Sequence, residues 1–111
     1  MIEWLLPFFE NRTFGAIRSS RWRQVRAKFL EKYPNCAVCG GRKTIEIHHI
    51  LPFHLYPDME LEERNLITLC ESGMNGIVCH RAIGHLGNYQ SYNKNVVMDA
   101  KLWREKISQR P

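Results

Sequence analysis

Apolar residues recur at three- and four-residue steps through "SSRWRQVRAKFLEKYP", so Trp22, Val25, Phe29, Leu30 and Tyr33 share one face of a helix over about 20–33. Ser19 or Ser20 is placed to cap its start and Pro34 to stop it. The period then changes. "KTIEI" alternates and is β-branched, as a strand requires, and runs directly into "IEIHHILPF". "NLITLC" is a second short strand. Between the two, Pro52 and Pro57 mark an irregular connection with a helical turn near "DMELEER". "VCHRAIGH" opens a helix that Gly84 or Gly87 is suited to end. The tail "VVMDAKLWREKISQ" predicts a last helix over about 96–109, with Val97, Leu102, Trp103 and Ile107 apolar. These elements make a small α+β fold. Two short strands and a helix bury too little to stand alone, and a metal tie is the usual remedy.

The length, 111 residues, fits one small domain over 1–111. No run approaches the roughly 18 apolar residues of a membrane helix. The opening "MIEWLLPFFE" is apolar but short and carries Glu3 and Glu10, so it reads as a segment that packs on the domain or on a protein partner and not as an export leader. Charge is unevenly spread. Residues 12–43 hold nine basic side chains against one acid, a local charge of +8 that leaves −3 for the rest of a chain whose total is +5. Such a basic front suits a polyanion. Arg21, Lys28 and Lys32 fall on a common flank of the first helix, and with Arg23 they are the candidates for phosphate contact and DNA binding.

Four cysteines without an export leader read as a metal site before they read as disulfides. Cys36 and Cys39 have knuckle spacing, with Gly40 and Gly41 permitting the turn that follows. Cys70 ends the second strand and Cys79 opens the next helix. If the strands pair, all four sulfurs meet at one end of the hairpin, an arrangement suited to structural Zn²⁺. The polar stretch "ESGMNGIV" between Cys70 and Cys79 is free to loop out without moving them.

Two of the five histidines sit side by side, at 48 and 49. Neighbours on a strand point to opposite faces, so the two cannot easily share a ligand. One can face the helix that brings His80, leaving the other for chemistry. A neutral imidazole can take a proton from water near neutral pH, and a divalent ion held by two histidines keeps positions open for phosphate and water. His54 is expected to be structural.

Taken in order, "IEIHHILPF", "EERNLITLC" and "CHRAIGH", interleaved with the cysteines, resemble the HNH endonucleases over about residues 36–87. "GHLGNYQSYN" and the basic "SSRWRQVR" helix also look like members from phage and bacterial genomes. The resemblance implies a ββα-metal (His-Me finger) core tied by zinc, with flanking helices. It implies hydrolysis of DNA phosphodiester bonds, one strand per active site, leaving 5′-phosphate ends. It makes His48 a metal ligand, where many members have Asp, His49 the general base, Asn65 the brace of the loop beside it, and His80 a second ligand. His85 is a candidate third ligand. Five α-helical residues turn about 500°, which leaves His80 and His85 some 140° apart, so His85 joins only if the helix ends or distorts near Gly84. A nitrogen-rich set favours Mn²⁺, Ni²⁺, Co²⁺ or Zn²⁺ over Mg²⁺ as the catalytic cation.

The competing reading is a zinc-stabilised nucleic-acid-binding module without catalysis, which basic charge and four cysteines fit equally. The set His48, His49, Asn65 and His80 separates the two, because binding alone does not require it. A weaker third reading is a toxin or partner-dependent subunit docked through its apolar N-terminus. The expected location is the cytoplasm of a bacterium or phage-infected host.

Overall fold

The computed structural model describes residues 17–71 and 78–109. The expectations placed on the N-terminal apolar segment, and most of the loop between Cys70 and Cys79, lie outside these residues.

The first helix, α1, spans Trp22–Lys32. It starts later than the serines, at Arg21, where no side chain caps it. Ser19 instead supports the preceding turn: its carbonyl accepts from Trp22 N–H at 3.1 Å and its Oγ from Arg21 N–H at 3.1 Å. At the other end Pro34 disfavours helical backbone for the residue before it, and Tyr33 leaves the helix at φ −131° and ψ 73°.

Strand β1 (Ile45–His49) pairs antiparallel with β2 (Leu66–Cys70). The register sets Ile45 against Cys70, His48 against Ile67 and His49 against Leu66. β1 therefore runs two residues further than "KTIEI" implies and takes in both histidines. Two single 3₁₀ turns, Pro57–Met59 and Glu63–Asn65, punctuate the connection. After β2 the chain forms a π-helical turn, His80–Gly84, and then the last helix, α2, over Val96–Ser108.

Alternation along the strands builds a separate apolar cluster on each face of the hairpin. Ile47 and Leu66 meet Phe29, Trp22, Val25 and Leu30 of α1. Ile67 and Leu69 meet Ile83 of the π-turn and Val96, Ala100 and Ile107 of α2, together with the cysteines. In α2 the packed stripe is therefore Val96, Ala100 and Ile107, while Val97, Leu102 and Trp103 are exposed. Ion pairs add to the seating of α1 and the segment before it: Arg26–Glu46 at 3.0 Å, Lys32–Glu63 at 3.1 Å and Arg18–Glu60 at 3.6 Å. Part of the basic front is thus paired within the chain. The first two are exposed on both sides and contribute little stability, so the apolar contacts carry the packing.

Candidate active site

The knuckle residues lead into β1, and Cys70 ends β2 beside Ile45, so antiparallel pairing brings all four cysteines to one end of the hairpin. Their sulfurs lie within 4.8 Å of one another, with Cys39 Sγ 3.7 Å from Cys70 Sγ. Zinc–sulfur bonds of about 2.3 Å in a tetrahedron separate the sulfurs by about 3.8 Å, so the set fits zinc. The turn is shaped for it. Gly40 sits at φ +78°, which admits glycine without strain, and its N–H donates to Cys36 O at 2.9 Å, while Val38 N–H points at Cys36 Sγ at 3.4 Å. The Cys79 thiol, hydrogen-bonded to Cys36, holds the Cys36 sulfur down to about 4, and the same contact pushes Cys79 far up. Burial raises Cys70 to about 11. Four sulfurs this close cannot all ionise without a cation among them.

On the π-turn side of the hairpin His48, His80 and His85 converge, with ligand nitrogens within 4.8 Å of one another. His80 Nε2 lies 3.1 Å from His48 Nδ1 and 3.2 Å from His85 Nε2. The five-residue spacing is met by the π-turn. His85 N–H donates to His80 O at 3.1 Å, an i→i+5 bond that closes a wider loop than an α-turn and stacks residue 85 near residue 80. Leu86 and Gly87 at φ +54° and +86° then end it.

The neighbours of these rings decide their tautomers. His85 Nδ1 lies 2.7 Å from Ser91 O; a carbonyl only accepts, so Nδ1 carries the proton and Nε2 the lone pair. His80 Nδ1 meets the Glu71 carboxylate, an acceptor, so Nδ1 carries a proton and the neutral ring has its lone pair on Nε2. Two lone pairs therefore face each other at 3.2 Å. A proton on His48 Nδ1 would satisfy one of them and not both; a single cation satisfies all three nitrogens. Burial, with His80, His85 and His49 beside it, lowers His48 to about 3, so it stays neutral and ready to ligate. Bonds of 2.0–2.1 Å give nitrogen separations of about 3.0 Å in an octahedron and about 3.4 Å in a tetrahedron, which bracket those observed.

Gly84 makes the approach possible. A Cβ there would lie 3.0 Å from Leu69 Cδ1 and 3.3 Å from His48 Nδ1. Gly84→Ala is expected to cost about 1–3 kcal/mol of stability by overpacking and to weaken cation binding by displacing His48; denaturant unfolding and calorimetric titration with Mn²⁺ check it.

His49 points to the opposite face and stays out of the trio. Its ring lies 4.6 Å from Trp22, and its Nε2 donates to Glu60 O at 2.9 Å, leaving Nδ1 as the acceptor. Burial pushes its pKa below the usual imidazole range, opposed by the Glu60 carbonyl. Asn65 holds the loop that supplies this carbonyl: Nδ2 donates to Leu51 O and Met59 O, both at 3.1 Å, and Oδ1 accepts from Leu51 N–H at 2.8 Å.

A cleft of about 340 Å³ is lined by His48, His49, His80 and His85, with Arg18, Phe53, His54 and Tyr89 around them. Arg18 lies over the Phe53 ring at 4.5 Å and is half exposed. None of Arg21, Arg23, Lys28 and Lys32 lines it; all four are exposed on α1 or beside it, and Lys32 is paired with Glu63. Sequence reasoning missed Arg18, Glu60 and Glu71 as parts of the site. Each is a single charged residue whose role depends on a contact across the fold, and nothing in the local pattern marks it. His54, read as structural, stands exposed at the cleft wall.

No helix among the described residues is long and apolar enough to cross a membrane. Comparison with curated proteins and with solved structures gave no match. The family model described as HNH endonuclease matches residues 36–85, a span that begins at the first cysteine and closes on the last histidine of the trio. That segment, with its paired strands, its four cysteines and its histidines, is what matches the HNH endonuclease family.

Proposed function

We propose that this protein is a metal-dependent endonuclease that hydrolyses DNA phosphodiester bonds in the cleft between β1 and the π-turn, as one domain whose ββα-metal core is tied by zinc on the four cysteines. The observation that carries the reading is the division of labour among the imidazoles: three bring a ring nitrogen each to within 4.8 Å of one another, and His49 shares their cleft with only its Nε2 engaged. HNH nucleases act on DNA and use divalent metals.

A divalent cation held by His48, His80 and His85 would supply charge relief at a phosphate oxygen and at the departing one. His49 takes the proton of the attacking water at Nδ1, while the Glu60 carbonyl keeps hold of the Nε2 proton and so fixes the tautomer. Asn65 keeps that carbonyl in place by clamping the loop at Leu51 and Met59. Arg18, on the cleft wall, contributes a guanidinium to a phosphate oxygen, and its pairing with the buried Glu60 carboxylate orients it. Arg21, Arg23 and Lys28 then serve the flanking backbone without reading sequence. Free thiols gathered in one cluster suit a reducing compartment such as the cytoplasm.

A plasmid-nicking assay across divalent ions tests the reading. Nicking is expected to require added metal and to run several-fold faster with Mn²⁺ or Ni²⁺ than with Mg²⁺ at equal concentration, because the trio is all nitrogen. Tight DNA binding with no cleavage under any ion would favour the non-catalytic module, which uses the same basic surface and the same cysteines.

A further inference from the structure

We propose that Glu71 is a positioning residue for the catalytic cation: its carboxylate holds the His80 ring in the tautomer and orientation that aim Nε2 at the shared point of the trio. The proposal rests on the reading of that trio as a cation site.

His80 is the middle member of the set, with His48 on one side and His85 on the other. Its Nδ1 is taken by Glu71, and its ring is part-buried, with the Tyr89 ring 5.7 Å away. A carboxylate on the outer nitrogen of a ligating imidazole locks ring rotation and raises the basicity of the inner nitrogen.

Glu71 itself is held firmly. Its backbone N–H donates to Thr44 O at 2.6 Å, which extends the β1–β2 ladder by one residue. It directly follows Cys70, and His80 directly follows Cys79; both cysteines are fully buried in the four-sulfur cluster. The two ends of the Glu71–His80 contact are therefore each one residue from a zinc-type sulfur, so the cluster that closes the fold also fixes the distance between this carboxylate and this imidazole. A surface ion pair with no further role would not need an anchor on each side.

The test uses the full chain with zinc on its cysteines, titrated with Mn²⁺ by calorimetry, with His80→Ala as the control that removes the site. Glu71→Gln is expected to bind Mn²⁺ about 10–100-fold more weakly than the parent while retaining its zinc, with Glu71→Asp recovering part of the loss. Nitrogen NMR of the unsubstituted protein is expected to show the His80 proton on Nδ1, a readout that needs no variant to fold. Equal Mn²⁺ affinity in parent and Glu71→Gln, or a His80 proton on Nε2, would overturn the role of Glu71 while leaving the cation site standing. A parent that binds no Mn²⁺ would overturn the cation site itself, and this proposal with it.

Discussion

His49→Ala is expected to lower the rate of plasmid nicking by about 10²–10⁴-fold, the range over which a positioned base contributes to proton transfer. That corresponds to about 3–5 kcal/mol of barrier. The substitution removes the acceptor at Nδ1 and leaves the rest of the site in place, because His49 ligates nothing in the trio. Its other contacts are the Trp22 ring and the hydrogen bond to Glu60 O. Leaving that buried carbonyl without its donor costs about 1–3 kcal/mol, less than the stability of a domain tied by zinc. The variant should therefore keep its zinc, bind Mn²⁺ and bind DNA as the parent does, and fail at chemistry alone. Single-turnover nicking, with zinc content and DNA affinity measured beside it, checks this. A variant that retains all three and nicks as fast as the parent removes His49 from the mechanism.

Cys70→Ser or Cys79→Ser is expected to abolish the cooperative unfolding transition. The described core is two small clusters split across a two-stranded hairpin, and the larger includes three of the cysteines among its buried members. A structural zinc contributes about 10–16 kcal/mol in small zinc domains, comparable with the whole stability of a folded domain. Either sulfur's loss also frees one side of the histidine site, since Glu71 and His80 are chain neighbours of these two cysteines. Thermal unfolding by near-ultraviolet dichroism, with elemental analysis for bound zinc, checks the prediction. A Cys79→Ser protein that melts at the parent's midpoint without zinc would contradict it. Strong chelators should reproduce the effect in the unsubstituted chain.

Local periodicity made the elements legible. The three- and four-step recurrence of Trp22, Val25 and Phe29 gave α1, and alternation through Ile45 and Ile47 gave β1. The meeting of the four cysteines was conditional on the two strands pairing, and the antiparallel register meets that condition. Strand parity also separated His48 from His49, and the structure sends them to the π-turn and to Trp22 respectively. The resemblance to HNH endonucleases, stated on the same residues, coincides with the family match over 36–85.

What stayed hidden depends on three dimensions. An α-helical reading of "CHRAIGH" keeps His85 away from His80, because the i→i+5 bond that closes the gap is a departure from regular geometry that this sequence does not announce. Gly84 read as a helix stop; its larger role is the space it leaves for the His48 ring. In α2 the small residue Ala100 packs and the large Leu102 and Trp103 do not, since position on the helix, not size, decides which side meets the hairpin. Arg18, Glu60 and Glu71 are short-range silent for the same reason. Each acquires meaning only from a partner elsewhere in the chain: Arg18 and Glu60 from one another, Glu60 also from His49, and Glu71 from His80.

The central claim is that three imidazoles hold one cation while a fourth stays free beside it. A crystal of the zinc-loaded protein soaked in Mn²⁺, with an anomalous difference map recorded at the manganese edge, tests it most directly. The account predicts a single peak bonded to His48 Nδ1, His80 Nε2 and His85 Nε2, with His49 Nδ1 unligated and open to the cleft. A peak bonded to His49, or no peak among the three nitrogens at saturating Mn²⁺, would contradict it.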